Sequence, residues 1–216
     1  PDAIDYVKIG GVDYLFTANE GDAREYEGEP GYVGEDRIKD LDLDETVFPV
    51  SEDYQNDANL GRLKVTISQG DTDGDGDYDE LYSYGARSFS VWSGTGSLLY
   101  DSGSDIVNQT LGSGRYNGEF DDRSDDKGAE PEAVEILRIA GNKYVLFVGL
   151  ERNDQVLVYD ISNPLSPQFL SILSYPGDEA PEGLLAIPSK DSPNGKDLLI
   201  VSNEDSGTVT IYENNQ

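Results

Sequence analysis

The stretch PEAVEILRIAGNKYVLFVGLERNDQVLVYDISNP, Pro131 to Pro164, carries the pattern from which the fold is read. Short runs of β-branched and aromatic residues alternate with Gly, Asn, Asp and Pro, which is the signature of strands joined by tight turns. Strands are expected at Ala133–Ile139, Tyr144–Leu150 and Gln155–Asp160, with a hairpin turn at Gly141-Asn142. The same order recurs twice. One copy opens at Pro181-Glu182-Gly183 and reaches Asn203-Glu204-Asp205, and the chain itself opens on Pro1-Asp2-Ala3 and reaches Asn19-Glu20-Gly21. In each copy an acidic residue beside proline is followed by a Glu, at spacings of 18 (Asp2 to Glu20), 19 (Glu132 to Glu151) and 22 (Glu182 to Glu204).

Working outward, further strands are expected at Ala3–Ile9, Asp13–Ala18, Arg62–Ser68, Glu80–Tyr84, Ser88–Trp92, Ser97–Tyr100, Gln168–Leu173, Leu184–Ile187, Leu198–Ser202 and Thr208–Glu213. Gly10-Gly11 reads as a second tight turn, and no long segment has helical periodicity. Four short strands repeated at about 50 residues describe a β-propeller blade, and closed rings hold about 4 to 8 of them. The fold class is therefore all-β, a β-propeller with blades of the YVTN or WD40 kind. It is partial, with about three to four blades: 1–110 with an insertion at 19–87, then 129–176, then 179–213. A β-sandwich is the alternative that the repeat disfavours. The polar segments 19–61 and 104–130 fall outside the blade pattern and read as long loops leaving one end of a blade. The lone Trp92 lies on a strand and reads as core.

Composition narrows the chemistry. The chain of 216 residues has 44 Asp+Glu against 15 Lys+Arg, a net charge of −29. Such a charge repels nucleic acid and anionic membranes and attracts cations. A solvated acidic surface explains it equally. With no Cys and no His, there is no disulfide framework, thiol nucleophile, Ser-His triad or zinc-thiolate site. Catalysis would fall to Asp, Glu, Lys, Arg, Tyr or a hard metal ion. No Met stands at position 1, so the chain reads as a mature or excised piece of a longer product; no signal peptide or transmembrane run is visible. Asn108-Gln109-Thr110 matches the glycosylation sequon.

Asp71–Glu80, DTDGDGDYDE, matches D-x-D-x-D-G over six positions. Calcium needs six to eight oxygens at about 2.3–2.6 Å, which alternate aspartates around a glycine turn supply. Tyr82 occupies position 12, where an EF-hand carries its bidentate Glu, and strand-like segments flank the loop. The expectation is a structural calcium site at a hairpin tip, with ligands drawn from Asp71, Asp73, Asp75, Asp77, Asp79 and Glu80. The bland reading is a solvated acidic turn.

The repeated acidic positions form a second candidate. Blade geometry gathers Asp2, Glu20, Glu132, Glu151, Glu182 and Glu204, with Asn19, Arg152 and Asn203 beside them, around a channel mouth able to hold a cation or a cationic group. Carboxylates that merely cap turns beside proline are the competing reading. Asp121-Asp122-Arg123-Ser124-Asp125-Asp126-Lys127-Gly128 places Arg123 and Lys127 as contacts for a metal-bridged phosphate, or forms a solvated loop of local ion pairs.

TANEGDAREY (17–26), LGRLKVT (60–66), GDTDGDGDYDELYSYGARSFSVW (70–92), FDDRSDDKGAEPE (120–132), FVGLERNDQVLVYDISNP (147–164) and EAPEGLLAIPSKDSPNGKDLLIVSNEDSGTVTIYE (179–213) together resemble the choice-of-anchor I domain. That family is similar to a mesenchyme-specific cell surface glycoprotein of biomineralisation, and some relatives carry the label alkaline phosphatase. The resemblance implies a secreted or cell-surface β-propeller, longer than this chain. The family's usual Pro-Glu-Gly reads Pro131-Glu132-Ala133 here. Two functions follow as expectations. The first is a non-catalytic, calcium-stabilised module binding cations, mineral, extracellular matrix or fused domains of its own polypeptide, with no nucleic acid and no membrane insertion. The second is a calcium-dependent phosphoesterase, alkaline-phosphatase-like or phytase-like, at the acidic channel mouth.

Overall fold

The computed structural model describes residues 1–26, 28, 31–85, 87–111, 123 and 126–215. In chain order the strands begin with β1 (Ile4–Ile9) and β2 (Val12–Asn19), then the short β3 (Glu25–Tyr26), β4 (Tyr32–Val33), β5 (Glu35–Arg37) and β6 (Lys64–Thr66). Next come β7 (Ser88–Ser93), β8 (Leu98–Asp101), β9 (Pro131–Ile139), β10 (Lys143–Leu150), β11 (Gln155–Asp160) and β12 (Gln168–Leu173). The last are β13 (Pro181–Ile187), β14 (Leu198–Asn203) and β15 (Thr208–Glu213). The helices are short: α1 (Ser51–Tyr54) and α2 (Asp105–Thr110). The protein is all-β, and no described helix is long and apolar enough to cross a membrane.

The chain divides into two compact units, one of residues 1–20, 86–122 and 129–216, the other of 21–85 and 123–128. The first unit holds three open antiparallel meanders, ordered β1-β2-β7-β8, β9-β10-β11-β12 and β13-β14-β15. The β1–β2 turn is Gly10-Gly11, with φ of 59° and 86°. Two consecutive positive φ values make the primed turn whose twist matches the strands, and glycine adopts it without a Cβ clash. The β9–β10 connection takes three residues rather than two, because Ile139 pairs with Lys143 around Ala140-Gly141-Asn142.

Strand alternation explains the packing. Leu146, Val148 and Leu150 of β10 join Leu157 and Tyr159 of β11 in one cluster with Phe16, Ala18, Phe89, Val91 and Ile106. Val145 and Phe147 point the other way and join Leu137, Val156, Val158, Leu199 and Val201. The middle sheet is thus apolar on both faces and packs between the other two. Each fully buried large side chain contributes about 1.5–3 kcal/mol. Trp92 is half-buried and donates its indole N–H to Thr17 at 3.1 Å.

A pair of hydroxyls on one aspartate repeats as well. Asp101 accepts the hydroxyls of Ser88 and Ser90 at 3.0 and 2.5 Å, and Asp178 accepts those of Thr208 and Thr210 at 2.8 and 2.5 Å. In the α2 sequon, Thr110 is buried and donates to the Ile106 carbonyl at 2.9 Å, while Asn108 is exposed.

The second unit has a small core of Ile38, Leu43 and Val65, backed by Leu41, Phe48, Leu63, Tyr78 and Leu81. Here one expectation is corrected. Residues 80–84 do not form a strand against 62–68. The ladder partner of β6 is β5, and the 80–84 segment makes only the isolated bridge Val65↔Ser83 and a bond from Thr66 N–H to the Tyr82 carbonyl at 2.9 Å. The cause lies at Gly70. Its φ is 118°, and its carbonyl accepts both Asp79 and Glu80 N–H groups, at 2.8 and 3.0 Å, which turns the chain out of register for a ladder. The acidic segment is therefore a closed loop, not the tip of a regular hairpin.

Candidate functional site

The loop is organised by its own aspartates. Asp71 accepts the N–H of Gly74 at 2.6 Å and of Gly76 at 3.1 Å, and both glycines have positive φ. Asp79 accepts the Thr72 N–H and hydroxyl, each at 2.7 Å. These bonds wrap the chain so that one carboxylate oxygen from each of Asp71, Asp73 and Asp79 lies within 4.8 Å of the others.

Asp79 is shared with a second triad, Asp44, Asp77 and Asp79, inside the same distance. Asp44 arrives through a parallel bridge, Leu43↔Tyr78, with Tyr78 N–H donating to Asp42 at 2.9 Å and Asp44 N–H to Tyr78 at 3.2 Å. Two expected ligands stand outside both triads. Asp75 accepts the Asp77 N–H at 3.3 Å, and the Glu80 carboxylate accepts the Tyr82 hydroxyl.

The electrostatics follow the crowding. Partial burial, with Asp75 and Asp44 nearby, pushes Asp77 up to about 6. The Asp75 charge raises Asp73. Hydrogen bonds from Thr72 lower Asp79, and bonds from Thr46 and Val47 lower Asp44. The buried Oδ1 of Asp77 has no hydrogen-bond partner among the described residues. Oxygen ligands of mixed exposure around a glycine turn suit a hard divalent cation.

The repeated glutamates lie in the first unit, and their placement has a backbone cause. β9 pairs Gly149 with Ala133 and Leu150 with Pro131, so Glu132 is the extra residue of a bulge. β13 repeats this, since Pro181 pairs with Asn203 and Gly183 with Ser202, leaving Glu182 over. Bulges re-aim side chains. Each proline follows a non-glycine residue with positive φ, Glu130 at 51° and Ala180 at 58°. The second glutamate of each pair is tied to that residue, Glu151 N–H to the Glu130 carbonyl at 3.0 Å and Glu204 N–H to that of Ala180 at 2.7 Å. The first copy is simpler, with Asp2 N–H donating to Ala18 at 3.0 Å. The Ala133 departure from Pro-Glu-Gly is accommodated because Gly149 stands opposite it.

Carboxylate oxygens of Asp2, Glu20 and Glu132 lie within 4.8 Å of one another, as do those of Glu20, Glu130 and Glu151. Arg152 lies 2.9 Å from Glu151 and 3.5 Å from Glu130. Burial pushes Glu132 up to about 9, assisted by the charges of Glu20, Asp2, Glu182 and Glu151. Burial also lifts Glu151 to about 7 against the pull of Arg152. Glu182, which is exposed, is raised by desolvation and by Glu204, and neither residue enters a triad.

The asparagines hold structure. Asn19 donates to Ser88 and Ser90 at 3.0 and 2.7 Å, and Asn203 donates to Thr208 at 3.1 Å. Arg123 and Lys127 belong to the second unit, where Arg123 lies 3.6 Å from Asp126 and Lys127 lies 2.6 Å from Asp22. Both side chains thus have an acidic neighbour. Asp121, Asp122, Ser124 and Asp125 lie outside the described residues.

Asp44 and Glu130 are the two members that the sequence pattern left without a role. Asp44 comes from a distant segment, and the position of Glu130 is Ala180 in the last copy. The D-L-D alternation at Asp42–Asp44 is the one local signal that pointed to the former.

The protein is thus an all-β domain of antiparallel meanders with two separate clusters of closely spaced carboxylates. Residues 1–164 match the choice-of-anchor I domain, and the chain belongs to that family. It is also similar to Gigasin-3a of Magallana gigas, with 33% identity over 189 residues, 73% of this chain and 66% of that protein. The chain thus spans just under two thirds of that relative's length.

Proposed function

We propose that this chain is a calcium-binding module of an extracellular or cell-surface protein, with a binding or structural role rather than a catalytic one. The observation that carries the reading is the closed 71–80 loop, whose Asp71, Asp73 and Asp79 oxygens converge within 4.8 Å and share Asp79 with Asp44 and Asp77. Calcium there would join the loop to the Asp42–Asp44 segment and neutralise a concentration of like charge. Extracellular modules bind calcium with dissociation constants of about 10⁻⁴ to 10⁻³ M, and the exposed loop belongs in that range.

The three meanders, packed face to face with the acidic pairs at matching strand ends, are read as consecutive blades of a β-propeller. Membership of the choice-of-anchor I family supports the surface setting. The net charge of −29 suits a cation-rich partner such as mineral or extracellular matrix. Calcium calorimetry tests the reading: the chelator-treated chain takes up calcium, and Asp71→Asn weakens it at the loop. A chain that binds no calcium at millimolar concentration contradicts it.

A calcium-dependent phosphoesterase is the second reading, and Arg152 beside Glu130 and Glu151 is the observation that favours it. The same guanidinium is engaged by both carboxylates, which opposes its use on a phosphate. Phosphomonoester turnover that requires calcium and is abolished by Glu132→Gln would put this reading first.

A further inference from the structure

We propose that Asp2, Glu20 and Glu132 form a second divalent-cation site, separate from the 71–80 loop, with the all-oxygen chemistry of calcium. A cation held at about 2.3–2.6 Å by two oxygens sets them at most about 5 Å apart. The three carboxylates, one oxygen from each within 4.8 Å of the others, meet that limit.

The second observation is Glu132 itself. It is 9% exposed, and its Oε2 has no hydrogen-bond partner among the described residues. A buried carboxylate oxygen left without a partner carries a desolvation cost that a bound cation removes. The bulge between Pro131 and Ala133 aims this side chain at the group rather than along the sheet face. The adjoining carboxylates Glu130 and Glu151 have the Arg152 guanidinium at 3.5 and 2.9 Å. Glu20 belongs to both groups of three.

The ligands come from three places in one unit: the segment ahead of β1, the residue after β2, and β9. A cation there joins the first sheet to the second. With no His or Cys in the chain, zinc and copper find none of their preferred ligands, and a hard cation is the class that fits. The competing occupant is a proton shared among the three acids. The site stands on its own residues and does not depend on the loop reading.

Equilibrium dialysis of the chelator-treated chain against radiolabelled calcium separates the possibilities. The Asp71→Asn/Asp79→Asn variant is expected to retain calcium binding, and adding Glu132→Gln to it weakens that binding at least about tenfold, the lower end of what even outer-shell changes cost a metal site. Circular dichroism verifies the fold. If Glu132→Gln melts, Asp2→Asn takes its place, because Asp2 is exposed. The proposal is overturned if the folded loop variant binds no calcium, or if its binding survives both Glu132→Gln and Asp2→Asn. A loop variant that binds as much as the original chain, with all of it lost on Glu132→Gln, overturns the loop reading and upholds this one.

Discussion

The backbone N–H of Glu151 donates to the carbonyl of Glu130 at 3.0 Å, and this bond closes the end of the β9–β10 ladder beside the bulged Glu132. Glu204 repeats it on Ala180 at 2.7 Å. Both acceptors hold positive φ directly before a proline, a conformation that costs about 1–3 kcal/mol for a non-glycine residue. The surrounding ladder sustains it. Ala180→Val, a β-branched side chain at φ 58° in a fully buried position, is therefore expected to cost about 1–3 kcal/mol and to lower the melting temperature, while Ala180→Gly is tolerated. Thermal melting of the two variants checks it; equal behaviour would show that the backbone there is unstrained.

The raised carboxyls give a pH dependence. Glu132 is lifted to about 9 and Glu151 to about 7 from an ordinary value of 4.5, so the folded chain binds more protons than the unfolded one across that window. Stability of calcium-free protein then falls as pH rises from about 5 to about 9. The groups facing Glu132 are Glu20, Asp2, Glu182 and Glu151, all acidic. The lowered acids Asp13, Asp44, Asp79 and Asp160 act below their ordinary 3.8 and leave this window alone. Glu132→Gln flattens the slope in melting curves taken across the range. A slope of unchanged steepness contradicts the assignment.

Gly70 is the hinge of the acidic loop. Its φ is 118°, and a Cβ there would stand 2.3 Å from the Glu80 carbonyl oxygen. Gly70→Ala must move backbone rather than a flexible side chain. A loss of about 1–3 kcal/mol is expected, together with weaker calcium binding at the loop. Denaturant unfolding with and without calcium reads both effects.

Asp178 serves two threonine hydroxyls, Thr208 and Thr210, from the neighbouring strand β15. Asp178→Ala leaves both without their acceptor, at about 1–3 kcal/mol. A double-mutant cycle with Thr210→Val is expected to show coupling, and additive costs would mean that the bond contributes nothing.

Most strands were legible because their residues are local evidence: runs such as Val145–Val148 and Val156–Tyr159 are apolar and mostly β-branched or aromatic, between turn residues. The acidic pairs were legible because the Pro-Glu opening recurs. What stayed hidden depends on distant pairing. Asp44 reaches the loop only through the Leu43↔Tyr78 bridge, and segment 80–84 lost its strand because the turn at Gly70 takes it out of register with β6. Glu130 enters its group through a backbone conformation that no sequence pattern announces.

The central claim is calcium in the 71–80 loop, and it is tested most directly by melting the Glu132→Gln chain with and without calcium. At calcium one hundredfold above its dissociation constant, a single site adds about 2.7 kcal/mol. Calcium is expected to raise the melting temperature by the equivalent of that energy, and Asp71→Asn/Asp79→Asn to abolish the rise. A melting temperature indifferent to calcium, or a rise that persists in the loop variant, would contradict it.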